Sequence, residues 1–312
     1  MPAALIPTPR PAWRSYAGML LRPRRGLRGS QGLPVIGRST GPVKLSALWL
    51  AAYRELIGLP DEPSVLPPLA LQLAAAPLHL SILADPRFPF RAMGLVHLAQ
   101  RIDQARPVLP GAVFRLEAFT GHAGPVKRGT QFELITEASD REGKLLWRAV
   151  TLVLSRHPPA DARAAEAAPS GPISSLVGEL AVEPPLWTRC GFVSVPEPLG
   201  RRYAAIAGDW NPIHQRAWLA RPFGFDRAIV HGTWTLARAL VAAGWPVHEA
   251  FSLHARFRKP VPLPSSVAVW VHAGRALQTL RVTDGEGGIE HLTARIEPAL
   301  AREDEDDDDA LL

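Results

Sequence analysis

The sequence predicts an α+β protein made of two similar halves, each an antiparallel sheet wrapped around one buried helix. Two stretches, 69–83 and 233–243, are apolar on nearly all sides, which is typical of buried helices. After each stretch, alternating apolar and polar residues predict antiparallel strands. The same elements occur in the same order in both halves, which indicates an internal repeat.

The repeat rests on two short signals that occur once in each half. A Pro-Val corner at 107–108 leads into an alternating run, and a second Pro-Val corner at 260–261 does the same. A hairpin signal, Asp-x-x-Gly, then stands between alternating runs at 140–143 and at 284–287. Patterns as short as these can occur twice by chance, but their shared order and near-matching spacing favour a true repeat. Pro77 lies inside the first helix candidate and predicts that this helix is kinked or split.

The chain has 312 residues, which is enough for about two domains of ordinary size. One segment is dominated by Pro, Ala, Ser and Gly and has no apolar period, so it predicts a linker. We expect five parts along the chain: a basic irregular arm (1–31), an N-terminal half (32–157), the linker (158–172), a C-terminal half (173–299) and an acidic tail (300–312).

The net charge of +6 is unevenly distributed along the chain. Residues 1–54 contain no Asp or Glu, whereas 303–309 are seven consecutive acids. Both ends are typical of solvated extensions. A basic arm could contact nucleic acid, a membrane surface or an acidic carrier. Because this arm has few aromatic residues among its cations, we expect no nucleic-acid partner.

The cysteine content and the hydropathy of the chain indicate the cellular compartment in which the protein works. Cys190 is the one cysteine, which excludes an intramolecular disulfide and a multi-cysteine metal site. This fits a reducing compartment, so we expect a cytoplasmic protein. No run of 18 apolar residues occurs, which predicts no membrane span. The N-terminus is not a convincing secretory signal, although its Arg-rich, acid-poor composition leaves an organelle transit peptide as an alternative.

The segment 203–214 carries the densest chemical signal, Tyr-Ala-Ala-Ile-Ala-Gly-Asp-Trp-Asn-Pro-Ile-His. We expect a short helix that ends at Gly208, followed by a new turn that Asn211 caps, with proline at its first position. This double turn can bring Asp209 and His214 together. A carboxylate beside an imidazole suits general acid–base chemistry, because it can fix the ring's tautomer and share a water molecule.

Gly232 stands at the start of the second buried helix, directly after His231. Backbone N–H groups at a helix start have no partner within the helix, and the helix dipole lies behind them. Glycine there lets a carbonyl oxygen approach closely, so an enolate-like oxygen would be stabilised. Taken singly, Asp209, His214 and His231 are each more typical of a turn or of packing. Taken together, the acid Asp209, the amide Asn211, the imidazole His214 and a glycine at the start of a buried helix favour a catalytic site.

These residues resemble a known family. The pattern Tyr-x-x-x-x-Gly-Asp-x-Asn-Pro-Ile-His, followed by Gly-Phe at 224–225 and Ile-x-His-Gly at 229–232, is similar to the hydratase 2 motif of MaoC-like (R)-specific enoyl thioester hydratases. The resemblance covers 32–299 and implies a double hot-dog fold, with two antiparallel sheets each wrapped around a central helix. It implies reversible syn addition of water to a trans-2-enoyl thioester, which gives the (3R)-3-hydroxyacyl thioester.

The same resemblance implies roles for four residues. Asp209 and His214 match the family's catalytic pair. Asn211 matches the amide that helps to order the site, and Gly232 matches the oxyanion donor. No metal and no redox cofactor is implied. The substrate would be a thioester of coenzyme A or of acyl carrier protein, and the chain could be a monomer or a homodimer.

The first half departs from this motif. Its equivalent region, 50–61, keeps a helix and Gly58 but has no Asp-x-Asn-Pro-x-His. We therefore expect one active site per chain, in the C-terminal half, with a non-catalytic N-terminal half that makes room for the acyl tail. A Val-His pair at 96–97 echoes the pair at 230–231. Because Leu98 replaces the glycine and the helix candidate comes before the pair, we interpret the echo as chance.

Two other functions remain open. A thioesterase of the same fold would need an acid on the central helix, but 233–243 contains no Asp or Glu. The second alternative is a non-catalytic module that binds acyl thioesters. The presence of both Asp209 and His214 counts against pure binding.

Overall fold

The computed structural model describes residues 4–6, 26–27, 32–59, 65–92, 94–156, 187–244, 250–273 and 278–298. The predicted linker and the predicted acidic tail lie outside these residues. Within the arm that the sequence predicted to be irregular, Ala4–Ile6 (β1) forms a short strand parallel to Val43–Leu45 (β3). The prediction for Ala4–Ile6 was therefore wrong, because a segment of three residues is too short for its pattern to show that it pairs with a distant strand.

The remaining strands form one ten-stranded antiparallel sheet. The first half supplies β2 (Gly37–Ser39), β4 (Leu95–Gln104), β5 (Arg115–Val126), β6 (Gly129–Ser139) and β7 (Leu145–Arg156). The second half supplies β8 (Thr188–Val195), β9 (Phe251–Phe257), β10 (Ser265–Ala273), β11 (Gln278–Asp284) and β12 (Glu290–Pro298). From the outer edge to the centre, the order is β2-β5-β6-β7-β4 in one half and β8-β10-β11-β12-β9 in the other. This matching order confirms the internal repeat.

The two halves meet where β4 and β9 pair. Ala99 lies opposite Arg256 at one end of this antiparallel ladder, and Gln104 lies opposite Phe251 at the other. The two predicted sheets are therefore hydrogen-bonded edge to edge and form one continuous sheet. Pairing in this way satisfies the backbone groups of an edge strand in each half.

Six α-helices lie in the described ranges: α1 (Ala47–Ile57), α2 (Ala70–Ala74), α3 (Ala76–Ala84), α4 (Leu199–Ala207), α5 (Ala217–Ala220) and α6 (Gly232–Ala242). The first predicted central helix is divided between α2 and α3, and Pro77 lies in the first turn of α3, which confirms the predicted split. The second predicted central helix is α6. None of the helices in the described ranges has the length and apolar character needed to cross a membrane.

Helices of the two halves are tied together by tryptophan side chains. The Trp49 Nε1–H of α1 donates to the Ile206 carbonyl of α4 at 3.0 Å. The Trp234 Nε1–H of α6 donates to the Leu56 carbonyl of α1 at 2.8 Å. Both tryptophans are buried, so each indole packs in the core while its one polar atom has a partner. The main apolar core contains residues of both halves, and a second, smaller cluster that includes Phe88 and Phe132 lies within the first half.

Candidate active site

The two candidate catalytic side chains lie on the segment between α4 and α6. The helix α4 ends at Gly208, whose left-handed backbone (φ 73°) favours glycine. Asn211 then caps a 3₁₀ turn, Pro212–His214, and its side-chain oxygen accepts a hydrogen bond from the Ile213 N–H at 3.4 Å. These features confirm the double turn that the sequence predicted.

Asp209 and His214 converge across this turn. Oδ2 of Asp209 and Nε2 of His214 are 3.8 Å apart, which is longer than a hydrogen bond. The Asn211 N–H donates to Oδ1 of Asp209 at 3.1 Å and so helps to hold the carboxylate in the loop. His214 is buried, whereas the Asp209 side chain is 48% exposed. The spacing suits two groups that hold one small molecule, such as water, between them.

The tautomer of His214 follows from its contacts. Nδ1 of His214 lies 2.8 Å from the Ile229 carbonyl oxygen. Because a carbonyl can only accept, Nδ1 carries the hydrogen, and in the neutral ring Nε2 presents a lone pair toward Asp209. Burial lowers the pKa of His214 below its ordinary value, while the nearby Asp209 carboxylate opposes that shift. The neutral ring is therefore favoured, which leaves Nε2 able to accept a proton.

His231 is a further part of the site, and the sequence reasoning gave it no role. Its ring is stacked on that of His214, with centroids 3.7 Å apart. Nε2 of His231 donates to the Asp209 main-chain oxygen at 3.0 Å, which ties the loop to the start of α6. The Tyr203 ring lies 5.0 Å from the His231 ring, and its hydroxyl donates to Thr233 at 3.2 Å. The signal in the sequence was the position of His231 directly before Gly232.

Buried histidines make the stability of this protein pH-dependent. Burial lowers the pKa of His231 to about 3 and the pKa values of His79 and His97 to about 4, from an ordinary value of 6.5. As the pH falls below 6.5, the unfolded chain takes up protons before the folded chain does, so the free energy of unfolding decreases. We expect a loss of about 1 kcal/mol per histidine between pH 7.5 and pH 5.5, measured by urea unfolding. If the free energy of unfolding stays constant over this pH range, the pKa values of these histidines are not lowered as described.

Gly232 is the first residue of α6, and His231 precedes it as the N-cap. A Cβ atom at position 232 would lie 2.9 Å from Cε1 of Phe257, closer than ordinary contacts allow. Glycine therefore lets the Phe257 ring pack directly on the helix start. Gly232 also lines the cavity that Asp209 and His214 line. Its N–H belongs to the turn that has no partner within the helix, so it can donate to a carbonyl oxygen in that cavity.

Gly200 is a second residue that the sequence reasoning missed. A Cβ atom there would lie 2.0 Å from the His214 main-chain oxygen, so the backbone of α4 contacts the backbone of the turn that carries His214. The sequence contained no signal beyond the glycine itself, because the helix that it predicted begins at Tyr203, after Gly200, whereas α4 begins at Leu199. Gly200 thus decides how near His214 lies to α4.

The site opens into a cavity of about 990 Å³ with walls from both halves. This volume lies in the range of pockets that hold small ligands. Five cations line it: Arg91, Arg128, Arg156, Arg258 and Lys259. Among the described residues, only Arg258 of these five has an ion-pair partner, Glu290 at 3.3 Å. The cavity therefore carries positive charge beside the candidate pair, Asp209 and His214.

Asp209, His214 and His231 also have the spacing of a metal site, since one potential ligand atom of each lies within 4.8 Å of the other two. In the observed arrangement, however, Nε2 of His231 carries the hydrogen that bonds the Asp209 main-chain oxygen. That nitrogen has no lone pair to offer a metal. Acid–base chemistry by Asp209 and His214 needs no metal.

Comparison with known proteins places the chain among its relatives. Residues 193–294 match the family model of the MaoC like domain, and this range contains Asp209, His214 and Gly232. The 3-hydroxyacyl-thioester dehydratase X of Mycobacterium tuberculosis (strain ATCC 25618 / H37Rv) is 30% identical over 256 residues, which are 79% of this chain and 84% of that protein.

Solved structures agree with this relationship. The crystal structure of HtdX of Mycobacterium tuberculosis matches with a TM-score of 0.69 and 25% identity, over 84% of this chain and 100% of that one. A MaoC-like dehydratase from Phytophthora capsici matches with a TM-score of 0.66 and 16% identity, over 85% and 95% of the two chains, which shows the shared fold. These matches confirm the predicted double hot-dog architecture. Because a 30% identical relative spans both halves and the family region contains the candidate dyad, this chain belongs to the MaoC-like dehydratases, a family of hydro-lyases.

Proposed function

We propose that the chain catalyses the reversible hydration of trans-2-enoyl thioesters to (3R)-3-hydroxyacyl thioesters, a reaction of fatty-acid metabolism. The observation that carries the proposal is the dyad, in which Asp209 Oδ2 and His214 Nε2 face each other at 3.8 Å beside Gly232 at the start of a buried helix. The relative named 3-hydroxyacyl-thioester dehydratase X supports a thioester substrate. Asn211 orders the site by capping the turn that carries the dyad.

The dyad can perform both proton transfers of this reaction. Hydration forms a bond from the water oxygen to C3 and a bond from hydrogen to C2, and it breaks one O–H bond of water and the π bond between C2 and C3. Asp209 and His214 hold the water, and one of them accepts its proton as the C3–O bond forms. The dyad then delivers a proton to C2. Since both groups act from the same side of the substrate, water adds to one face, which is syn addition.

As water attacks C3, the electron pair of the C2–C3 π bond is delocalised through C2, and negative charge develops on the thioester carbonyl oxygen. The Gly232 N–H, with the dipole of α6 behind it, is the group that stabilises this oxygen. A donor that is fixed before the reaction needs no reorganisation as the charge develops. The roles are therefore divided: Asp209 and His214 transfer protons, and the Gly232 N–H stabilises the negative charge on the carbonyl oxygen.

The carrier of the acyl group is phosphorylated in this proposal. Coenzyme A and acyl carrier protein both present the thioester on a phosphopantetheine arm, and the cations of the cavity complement its phosphate. Apolar residues of the first half, among them Phe90, Leu95 and Leu154, line the same cavity and offer a surface to the acyl tail. This is the role that the sequence predicted for the half without a dyad.

The alternatives fit the site less well. A thioesterase would place an acid on the central helix, but α6 has none. A module that only binds acyl thioesters has no use for a carboxylate and an imidazole lone pair that face each other across 3.8 Å. The homodimer and the cytoplasmic location stay predictions from the sequence.

Hydration of crotonyl-CoA tests the proposal, followed as loss of the enoyl absorbance with chiral analysis of the product. We expect turnover and the (3R)-hydroxybutyryl thioester. The N-acetylcysteamine ester of crotonate, which has no phosphate, should react with the same stereochemistry but with a higher KM, because it cannot use the cavity cations. A protein inert on crotonyl esters of coenzyme A, acyl carrier protein and N-acetylcysteamine would overturn the proposal, and a (3S) product would overturn its stereochemistry.

A further inference from the structure

The strand that joins the two halves carries a β-bulge beside the site. In the ladder between β4 and β7, Ala99 lies opposite Leu152, while His97 lies opposite Val153. Leu98 is therefore an extra residue between them. Because side chains alternate along a strand, one extra residue moves His97 to the face opposite the one it would otherwise occupy.

That face is the one covered by helices. Val153, the partner of His97, is two residues from Thr151 and shares its face of the sheet. Thr151 accepts a hydrogen bond from the Gln72 side chain of α2 at 3.1 Å, so this is the helix-covered face. His97 accordingly lines the cavity that contains Asp209, although it belongs to the half without a dyad.

The ring of His97 contacts Phe257, which in turn packs on the start of α6. The centroids of the two rings are 4.4 Å apart. Phe257 lies so close to Gly232 that a Cβ atom there would meet its ring at 2.9 Å. Nε2 of His97 donates to the Ala99 carbonyl at 3.1 Å, which fixes the orientation of the ring. A continuous series of contacts thus leads from the first half to the proposed oxyanion donor.

The surroundings of His97 keep its ring neutral. Burial is the main cause that lowers its pKa to about 4, and hydrogen bonds together with the Asp209 carboxylate only partly offset that effect. His79, the other histidine near it, also has a pKa lowered to about 4. A neutral imidazole can pack against the Phe257 ring without adding a positive charge to a site that already contains the Asp209 carboxylate. These features suit a packing role better than proton transfer.

We propose that His97 is a positioning residue that the N-terminal half supplies to the active site of the C-terminal half. Its ring holds Phe257 against Gly232 and so fixes the space in which the thioester carbonyl meets the Gly232 N–H. The inference rests on the proposed function. It also gives a role to the Val-His echo at 96–97, which the sequence reasoning interpreted as chance. That pair lies on a strand and not before a helix, yet it reaches the same cavity.

Kinetics of His97 variants with crotonyl-CoA test the proposal. We expect His97→Ala to lower kcat on the order of ten- to a hundred-fold with a smaller change in KM, because the carbonyl contact strengthens in the transition state. His97→Phe restores a ring against Phe257 and should retain most of the activity. His122→Ala is the matched control, since His122 is exposed on β5 and does not line the cavity. Thermal unfolding of each variant shows that it is folded at the assay temperature.

A double-mutant cycle asks whether His97 acts through Phe257. In a Phe257→Leu background, His97→Ala should have little further effect on kcat, whereas independent roles would give additive effects. Additive effects, an active His97→Ala protein, or a His97→Phe protein as slow as His97→Ala would each overturn the inference while the proposed function stands. A wild-type protein inert on every enoyl thioester would overturn both.

Discussion

Asp209→Asn and His214→Ala are each expected to lower kcat for crotonyl-CoA hydration by about 10²- to 10⁴-fold, the usual contribution of a positioned acid or base. Asn at 209 removes the charge and the proton acceptor but keeps an oxygen for the Asn211 N–H that now bonds Oδ1. Ala at 214 removes the Nε2 lone pair that faces Asp209. Initial rates of loss of the enoyl absorbance measure both effects.

A variant that combines Asp209→Asn with His214→Ala tests whether the two side chains act as one unit. Because the two side chains hold one water together, losing both should cost little more than losing either one. His122→Ala, a change at an exposed histidine away from the cavity, should leave the rate unchanged. If either dyad variant hydrates crotonyl-CoA at the wild-type rate while the wild type is active, the chemistry lies elsewhere in the cavity.

Gly200→Ala is expected to destabilise the protein by about 1–3 kcal/mol, the usual range for overpacking a close contact. A helical Gly→Ala change ordinarily stabilises, because alanine has the higher helix propensity. Here the new Cβ would lie 2.0 Å from the His214 main-chain oxygen, so the backbone of α4 and that of the turn carrying His214 would have to move apart. The free energy of unfolding and kcat should therefore decrease together, measured by urea unfolding and by crotonyl-CoA hydration.

Gly288→Ala is the matched control for this prediction. A Cβ atom at Gly288 would meet nothing within 4 Å. We expect this variant to keep both the stability and the activity of the wild type. A Gly200→Ala protein as stable as Gly288→Ala would show that α4 and the turn are not in the contact described.

Much of the fold could be predicted because it depends on local patterns. The apolar stretch at 233–243 predicted α6, and Pro77 predicted the division between α2 and α3, because helix periodicity and proline geometry act within a few residues. The left-handed Gly208 and the cap at Asn211 were predictable for the same reason. The repeated order of these signals predicted the matching order of strands in the two halves.

The candidate site was predictable where its residues are close in the chain. Asp209 and His214 are five residues apart on one turn, so the sequence alone brings them together. His231 was quoted in the motif, but its stacking on His214 joins two segments and depends on where α6 lies. Gly200 was missed because a close approach between backbones leaves no signal beyond the glycine itself.

By itself, the sequence determined the two-fold repeat, the central helices and the turn that brings Asp209 and His214 together. Each of these depends on spacing within a short segment. The tertiary structure decided which strands, β4 and β9, pair to join the halves, and that a bulge at Leu98 turns His97 toward Phe257. Those features are contacts between residues far apart in the chain, and only the packing of the whole sheet fixes which strands and side chains meet.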